Sequence, residues 1–415
     1  MHALILAGGL GTRLSTILKD QPKPMAPIGK RPFLEFIIAM LEKQGIRDIV
    51  LLTGHKSGTV EKHFGDGRNF GVSIIYSIER EPLGTGGAVK LASGLLSGDE
   101  DFLVLNGDTY FNIDYMNLID FHKKKKALMT ISLKYVDDPG RYGSITIQDY
   151  RVSGFIEKGS ISGGGYINGG VMVLSPGALS YFKRDGFFSL EREVMPSLLE
   201  TGRVFGIPFG GKFIDIGIPD DYRASLEKLP LWERTHMIRA AFLDRDGIIN
   251  EDNGYLYRVK ELKLLDGSVS FLKVLKKMGF SFIIITNQSG IGKGIFSEED
   301  YHIFQNELIR KLSTEGIDIL DSFFCPFHPE ASILEYRWES ILRKPEPGMV
   351  LAAADKHFID IAKSVMIGDK ESDRIHLPYL RNYILRGHYD VDESLGVYSD
   401  FNEILEAIKN DWRDS

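Results

Sequence analysis

Two short stretches, far apart, fix most of what this chain can fold into. "MHALILAGGLGTRL" at residues 1–14 and "AAFLDRDGIIN" at 240–250 each run a few apolar residues into a cluster unsuited to continuing a strand. The first cluster is rich in glycine and leads into Thr12 and Arg13. The second holds two carboxylates, Asp244 and Asp246, with Gly247 behind them. A short apolar run closed in this way reads as a buried strand of an α/β sheet followed by a loop at its carboxyl end. Two such openings call for two separate α/β units. At 415 residues the chain is also too long for one core, since single cores stop growing at about 250–300 residues.

Between these openings, β-like runs alternate with amphipathic helical segments, the pattern of α/β domains with mainly parallel sheets. The first half offers "ALILAG", "DIVLLTG", "SIIYSIE", "FLVLNGD" and "LMTISLKYV" as strands, with "FLEFIIAMLEKQG" as a helix stopping at Gly45. Near residue 140 the texture changes, and "GRYGSITIQDYRVSGFIEKG" alternates as antiparallel hairpins do. Periodicity fades across "EKLPLWERTHMIR" (227–239), which places a boundary between about residues 228 and 238. The expected domains are 1–232 and 237–415. The second repeats the alternation with "SFIIITNQSG", the helix "SEEDYHIFQNELIRKLSTEG", "SFFCPFH" and "SVMIGDKESD".

Composition removes several functions. The longest apolar stretches, such as "FSFIIIT" near residue 283, have strand length and fall short of the ~20 residues a membrane span needs. No basic segment followed by an apolar h-region opens the chain. The single cysteine, Cys325, excludes an intramolecular disulfide and fits a reducing compartment, so a cytoplasmic location is expected. A net charge of −7 argues against nucleic acid as partner. The run "KKKK" at 123–126 reads as the solvated end of a helix. A homo-oligomer is left open.

Gly8, Gly9 and Gly11 directly follow the first strand. Glycines there let backbone N–H groups approach phosphate oxygens, although a glycine-rich strand end is also a common tight turn. The spacing is neither a P-loop nor a complete G-x-G-x-x-G, because residue 14 is Leu. "QPKPMAPI" then holds Lys23 between two prolines, and a fixed ammonium beside an Arg and a glycine loop suits a polyphosphate.

Together "GGLGTRL" and "PKPM" resemble the nucleotidyltransferases that join a nucleoside triphosphate to a sugar 1-phosphate. Later landmarks follow in order: "EPLGTGGA", "LNGD", "FIEK", "YINGGV" and "FIDIGIPDDY". The resemblance spans about residues 1–230 and implies a Rossmann-like, GT-A-like domain. By that likeness Gly8, Gly9, Gly11, Thr12 and Arg13 hold the triphosphate, and Lys23 bridges to the reacting phosphates. Leu83, Gly84 and Thr85 would lie near base and ribose. Asp108 and Asp215 would bind Mg²⁺, while Glu157, Lys158 and Asn168 would face the sugar phosphate. Within the family the nearest likeness is to guanylyltransferases acting on D-glycero-α-D-manno-heptose 1-phosphate, though the physics does not choose among sugars or bases.

The carboxylates of "DRDG" stand two apart and would point the same way on an extended strand. One can be a nucleophile while the other protonates the leaving oxygen, yet a lone D-x-D also caps helices and lines turns. Three companions follow: "TNQSG" at 286–290, "LRKPEPGM" at 342–349 and "MIGDKESD" at 366–373. The set resembles haloacid dehalogenase superfamily phosphatases over about residues 238–390, and within them the D-glycero-D-manno-heptose 1,7-bisphosphate 7-phosphatases. That implies a Rossmannoid C-terminal domain with Asp244 as nucleophile and Asp246 as general acid/base. Thr286 and Lys344 would stabilise the phosphoryl group, and Asp369 would join Asp244 and Asp246 on Mg²⁺. Asp252, Asn253, Gly254, Tyr255, Asn287, Gln288, Ser289 and Lys370 would touch substrate, with Arg343 and Lys344 recognising its other phosphate.

Members of that group often carry a zinc site of the type C-x-H…C-x-C. The matching positions here are Cys325, Phe327, Ser340 and Leu342, so no zinc is expected. The two resemblances together imply consecutive steps on one sugar. The rival readings keep both enzymes on other substrates, such as a hexose 1-phosphate and histidinol phosphate, or make one domain degenerate and regulatory.

Overall fold

The computed structural model describes residues 1–9, 21–54, 56–96, 100–156 and 164–413. It divides into two compact units, Met1–Thr235 and His236–Ser415. The segment where periodicity fades is helical for most of its length. A helix runs Pro219–Arg234 with Pro230 inside it, because Leu229 and Trp232 are buried and Trp232 stacks on Tyr110 at 6.1 Å. Among the described residues, no helix is long and apolar enough to cross a membrane.

The first unit is built on nine strands: β1 (His2–Leu6), β2 (Asp48–Thr53), β3 (Ser73–Ile78), β4 (Phe102–Asn106), β5 (Met129–Val136), β6 (Ser144–Gln148), β7 (Arg151–Ile156), β8 (Gly165–Leu174) and β9 (Val204–Pro208). Their spatial order is β3-β2-β1-β4-β8-β5-β9-β7-β6. The β3-β2-β1-β4 half is parallel, and its central strands are apolar throughout because both faces are covered. Beyond β4 the expectation of a mainly parallel sheet fails. β8 lies antiparallel to both β4 and β5, and β7 is antiparallel to β6 and β9, so the sheet is mixed. The β6–β7 hairpin turns at Asp149 and Tyr150, both at positive φ (48° and 64°), in accord with the alternation read there.

The second unit has six strands: β10 (Ala240–Leu243), β11 (Ser281–Asn287), β12 (Ile319–Cys325), β13 (Val365–Gly368), β14 (Arg381–Leu385) and β15 (Val397–Tyr398). All pairings are parallel, in the order β12-β11-β10-β13-β14-β15. Amphipathic helices cover the sheet. Phe304, Leu308 and Leu312 of the helix Glu298–Thr314 and Phe271, Leu272 and Leu275 of Ser268–Lys277 join one buried cluster with Leu243, Ile284 and Ile367.

Both sheets reverse their winding beside their first strand, between β1 and β4 in one and between β10 and β13 in the other. A crevice opens at the carboxyl ends of strands at such a reversal, and ligands of open α/β sheets bind there.

Candidate active sites

In the first unit, Gly8 and Gly9 follow β1, and Asp108 follows β4 on the other side of the reversal. The two strands close up at Gly107, where a Cβ would lie 2.6 Å from the Leu6 carbonyl oxygen, so only glycine fits. A second carboxylate arrives by a short antiparallel pair, Thr109–Phe111 with Phe213–Asp215, in which Asp215 faces Thr109. The Lys23 ammonium sits between them, 2.5 Å from Asp108 Oδ2 and 3.7 Å from Asp215 Oδ1. Burial, with the neighbouring charge of Asp108, raises the Asp215 pKa against the pull of Lys23 and the Gly217 N–H. The cluster of Lys23, Asp108 and Asp215 read in the sequence thus forms.

A cleft of about 670 Å³ adjoins it, lined in part by Gly8, Gly9, Gly84, Thr85 and Asp108. Gly84 opens the helix Gly84–Ser93 at φ +70°, and a Cβ there would meet the Phe188 carbonyl at 2.6 Å. The Thr85 hydroxyl is spoken for: it donates to Glu191 Oε2 at 2.9 Å and accepts from the Leu190 N–H at 2.9 Å. Leu83 contributes its backbone, donating its N–H to Glu79 Oε2 at 2.9 Å. Asn168 sits at the irregularity in β8, where its side-chain carbonyl accepts from the Gly170 N–H at 2.9 Å, and it does not line the cleft. Gly11, Thr12, Arg13, Glu157 and Lys158 lie outside the described residues.

The sequence reading passed over Glu79, which stands just ahead of "EPLGTGGA". It lines the cleft half-buried, and burial raises its pKa while the Leu83 N–H opposes the rise. Phe187, 67% exposed, is on the cleft's rim. Neither gave a signal in sequence, because only the helix start at Gly84 and the approach of residues 186–191 bring them to the cleft.

In the second unit, Asp244 follows β10 and Asp369 follows β13, across the reversal. Asp244, Asp369 and Asp373 are all buried, with carboxylate oxygens within 4.8 Å of one another. The expected set had Asp246 with Asp244 and Asp369; the side-chain oxygens that come together here are those of Asp244, Asp369 and Asp373. β10 ends at Leu243, so the extended-strand argument for a shared direction does not reach Asp246. Its carboxylate is taken up by Arg245 (3.0 and 2.8 Å), Asn250 (2.8 Å) and Gln288 (3.2 Å). Asp373 is the third: its Oδ2 accepts the N–H groups of Asp369 and Lys370, each at 3.0 Å, and its Oδ1 pairs with Lys344 at 2.6 Å. The D-x-x-x-D spacing of "GDKESD" was its only trace in the sequence.

Lys344 also reaches Asp244 Oδ1 at 2.7 Å. Burial works against its charge, and the two carboxylates more than reverse that effect, raising its pKa. One ammonium cannot balance three carboxylates. Burial, with the charges of Asp373 and Asp246, pushes Asp244 up to about 6 against Lys344 and Lys370, and burial beside Asp244 pushes Asp369 up to about 8. Oδ1 of Asp369 is buried without a hydrogen-bond partner. Hard oxygen donors, surplus negative charge and one unpartnered oxygen fit a divalent cation. Gly247, at φ +93°, is required beside it, since a Cβ would come 2.2 Å from Asp369 Oδ2.

The residues expected to touch substrate have these partners in the structure. Asn287 exchanges two hydrogen bonds with the Lys344 backbone (3.1 and 3.0 Å), and buried Gln288 links Asp246 to the Thr286 hydroxyl at 2.9 Å. Asp252 is paired with Lys370 at 2.8 Å. Arg343 donates to the Phe327 carbonyl at 3.3 Å, and Tyr255 is 43% exposed with its hydroxyl 2.9 Å from Lys293. Ser289 opens the short helix Ser289–Gly292, and Asn253 and Gly254 are exposed. Cys325 is fully buried, its thiol pushed up to about 11 by burial, with Sγ 3.8 Å from the Phe327 carbonyl. The loop beyond it is closed by Phe327 against Trp338 (4.5 Å) and by Arg337 donating to the Ala331 carbonyl at 2.6 Å.

Fold and sites therefore define an enzyme with two phosphoryl-handling centres, each at the reversal of its own sheet. Residues 2–230 match the Nucleotidyl transferase family. The D-glycero-alpha-D-manno-heptose 1-phosphate guanylyltransferase of Aneurinibacillus thermoaerophilus is 42% identical over 229 residues, which are 55% of this chain and 98% of that protein. The D-glycero-alpha-D-manno-heptose-1,7-bisphosphate 7-phosphatase of Burkholderia mallei is 44% identical over 135 residues, 32% of this chain and 71% of that one. Among solved structures, HddC from Yersinia pseudotuberculosis complexed with GMP-PN is similar at 38% identity and a TM-score of 0.50, covering 55% of this chain and 98% of that chain. The chain belongs to the nucleotidyl transferase family, and its C-terminal part is related to heptose-bisphosphate phosphatases. It joins a nucleotidyltransferase to a phosphoric monoester hydrolase.

Proposed function

We propose that the chain carries out two successive steps toward a nucleotide-activated heptose. The C-terminal unit removes the 7-phosphate of D-glycero-D-manno-heptose 1,7-bisphosphate, and the N-terminal unit transfers GMP from GTP to the resulting heptose 1-phosphate, releasing pyrophosphate. The observation that carries this reading is the pairing of relatives in one chain: the product named for one is the substrate named for the other.

In the phosphatase unit, an oxygen of Asp244 attacks phosphorus and the ester P–O bond breaks, leaving an aspartyl phosphate. Lys344 offsets charge on the phosphoryl oxygens, 2.7 Å from the nucleophile. Asp246 gives its proton to the leaving sugar oxygen. It then takes one from the water that cleaves the acyl phosphate and frees phosphate. In the structure its carboxylate accepts from Arg245, Asn250 and Gln288. Asp244 and Asp369 would hold Mg²⁺, with Asp373 alongside. When bound, the ion supplies charge neutralisation at the transferring phosphoryl group.

In the nucleotidyltransferase unit a sugar-phosphate oxygen attacks the α-phosphorus and the bond to pyrophosphate breaks. No protein nucleophile is needed, and positioning with charge compensation is the whole task. Asp108 and Asp215 would hold Mg²⁺, and Lys23 would turn to the phosphates. Glu79 supports guanine: a carboxylate only accepts hydrogen bonds, and the guanine edge presents N1–H and N2–H side by side. Adenine presents an acceptor at N1, which a carboxylate repels.

The test is mass spectrometry on the full chain with Mg²⁺, heptose 1,7-bisphosphate and one nucleoside triphosphate at a time. GDP-heptose formed with GTP alone is the expected result. Asp244→Asn should abolish it from the bisphosphate yet preserve it from heptose 1-phosphate, whereas Asp108→Asn should stop it from either. Loss of phosphate release in Asp108→Asn, or of nucleotidyl transfer from heptose 1-phosphate in Asp244→Asn, would overturn the two-site reading.

A further inference from the structure

The segment after β14 carries a residue that the reactions above leave unused. Gly387 passes so close to Asp369 that a Cβ there would be 3.3 Å from Asp369 Oδ2, so this segment forms a wall of the phosphatase site. Two residues on, the Tyr389 hydroxyl donates to Asp252 Oδ2 at 2.7 Å. The Lys370 ammonium donates to the same oxygen at 2.8 Å and lies 4.5 Å from the centre of the Tyr389 ring. The Gly254 N–H occupies Asp252 Oδ1 at 2.9 Å. With three donors and a side chain only 4% exposed, Asp252 is committed mainly to these partners.

We infer that Tyr389 is a positioning residue of the phosphatase. With Asp252 it clamps Lys370 at the mouth of the site, so that the ammonium meets the sugar part of the substrate. The physical need is plain. Lys370 follows Asp369 directly and lies within the field of Asp244, and a lysine has ample rotamer freedom to fold onto either carboxylate. A hydrogen-bonded anion on one side and an aromatic face over the charge draw it outward. This deepens the proposed phosphatase reading and rests on it for the presence of a phosphorylated sugar.

The test compares KM and kcat of the full-length protein and its variants on two esters. One is p-nitrophenyl phosphate; the other is the best substrate the wild type accepts from a panel of hexose and heptose phosphates that includes the 1,7-bisphosphate. Tyr389→Phe, which keeps the ring and drops the hydroxyl, should raise KM for the sugar ester about tenfold with kcat within about twofold, and leave p-nitrophenyl phosphate unaffected. Lys370→Met should raise the same KM further, and the double variant should match Lys370→Met alone, because Tyr389 acts through Lys370. Unchanged sugar KM, equal losses on both esters, or additive effects in the double variant would each overturn the clamp. Failure on the 1,7-bisphosphate with another sugar ester accepted would count against the substrate assignment only.

Discussion

The Lys344 ammonium stands 2.7 Å from Oδ1 of Asp244, although 100 residues separate the two in the chain. The lysine is 3% exposed and also holds Asp373, so it is both the charge that tolerates buried carboxylates and a cation in contact with the proposed nucleophile. Lys344→Met should cost the second unit about 3–5 kcal/mol, since it leaves two carboxylates buried without their cation. Phosphatase kcat should fall about 10²–10³-fold. Urea unfolding and phosphate release measure the two effects, and nucleotidyl transfer from supplied heptose 1-phosphate serves as the unaffected control.

Asp373 acts on the metal site through the chain that carries Asp369. Removing the acceptor of the Asp369 and Lys370 N–H groups frees that loop. Asp373→Ala should therefore raise the Mg²⁺ concentration for half-maximal phosphatase activity by about 10–100-fold, in the manner of residues that orient metal ligands. A Mg²⁺ titration of phosphate release checks it, and an unchanged midpoint would reduce Asp373 to a partner of Lys344.

Glu79 should decide the base. Glu79→Gln replaces one acceptor with a donor facing the guanine N–H groups, so kcat/KM for GTP should drop about 10–100-fold while that for ATP does not. Competition between the four nucleoside triphosphates reads the ratio. Equal losses on all of them would place Glu79 in holding Leu83, whose N–H it accepts at 2.9 Å, and nothing more.

His122 makes the first unit sensitive to acid. It is 1% exposed, and burial lowers its pKa to about 4, with Arg203 and Lys123 assisting and Asp101, 3.6 Å away, opposing. Below its ordinary value of 6.5 the unfolded chain binds a proton that the folded one refuses. The stabilising contribution is therefore complete above pH 6.5 and is lost as pH falls toward 4. The loss amounts to about 3 kcal/mol. Hydrogen-exchange protection in β4 and β5 should decline across that window in the wild type and less so in His122→Gln.

Much of this was legible in the sequence where the signal is local. Apolar runs named β1, β2 and β4 within a residue or two, because a strand buried on both faces has to be apolar throughout. Lys23 between prolines, Asp108 after "LVLN" and Asp244 after "AFL" were legible for the same reason: each is tied to a strand end or a rigid turn. Antiparallel β8 was not legible, since an apolar strand reads alike in either direction.

What the sequence by itself determined is two α/β units and the residue types each reaction needs, at the ends of apolar strands. The tertiary structure decided which of those residues meet. Asp373 joins Asp244 and Asp369 while the Asp246 carboxylate meets Arg245 and Gln288, Asn287 bonds the Lys344 backbone, and Asp252 pairs with Lys370. The reason is physical. A strand's end is set by its own few residues, but a carboxylate's partner is set by burial and by whichever charge the folded sheet brings within 3 Å of it, often from a hundred residues away.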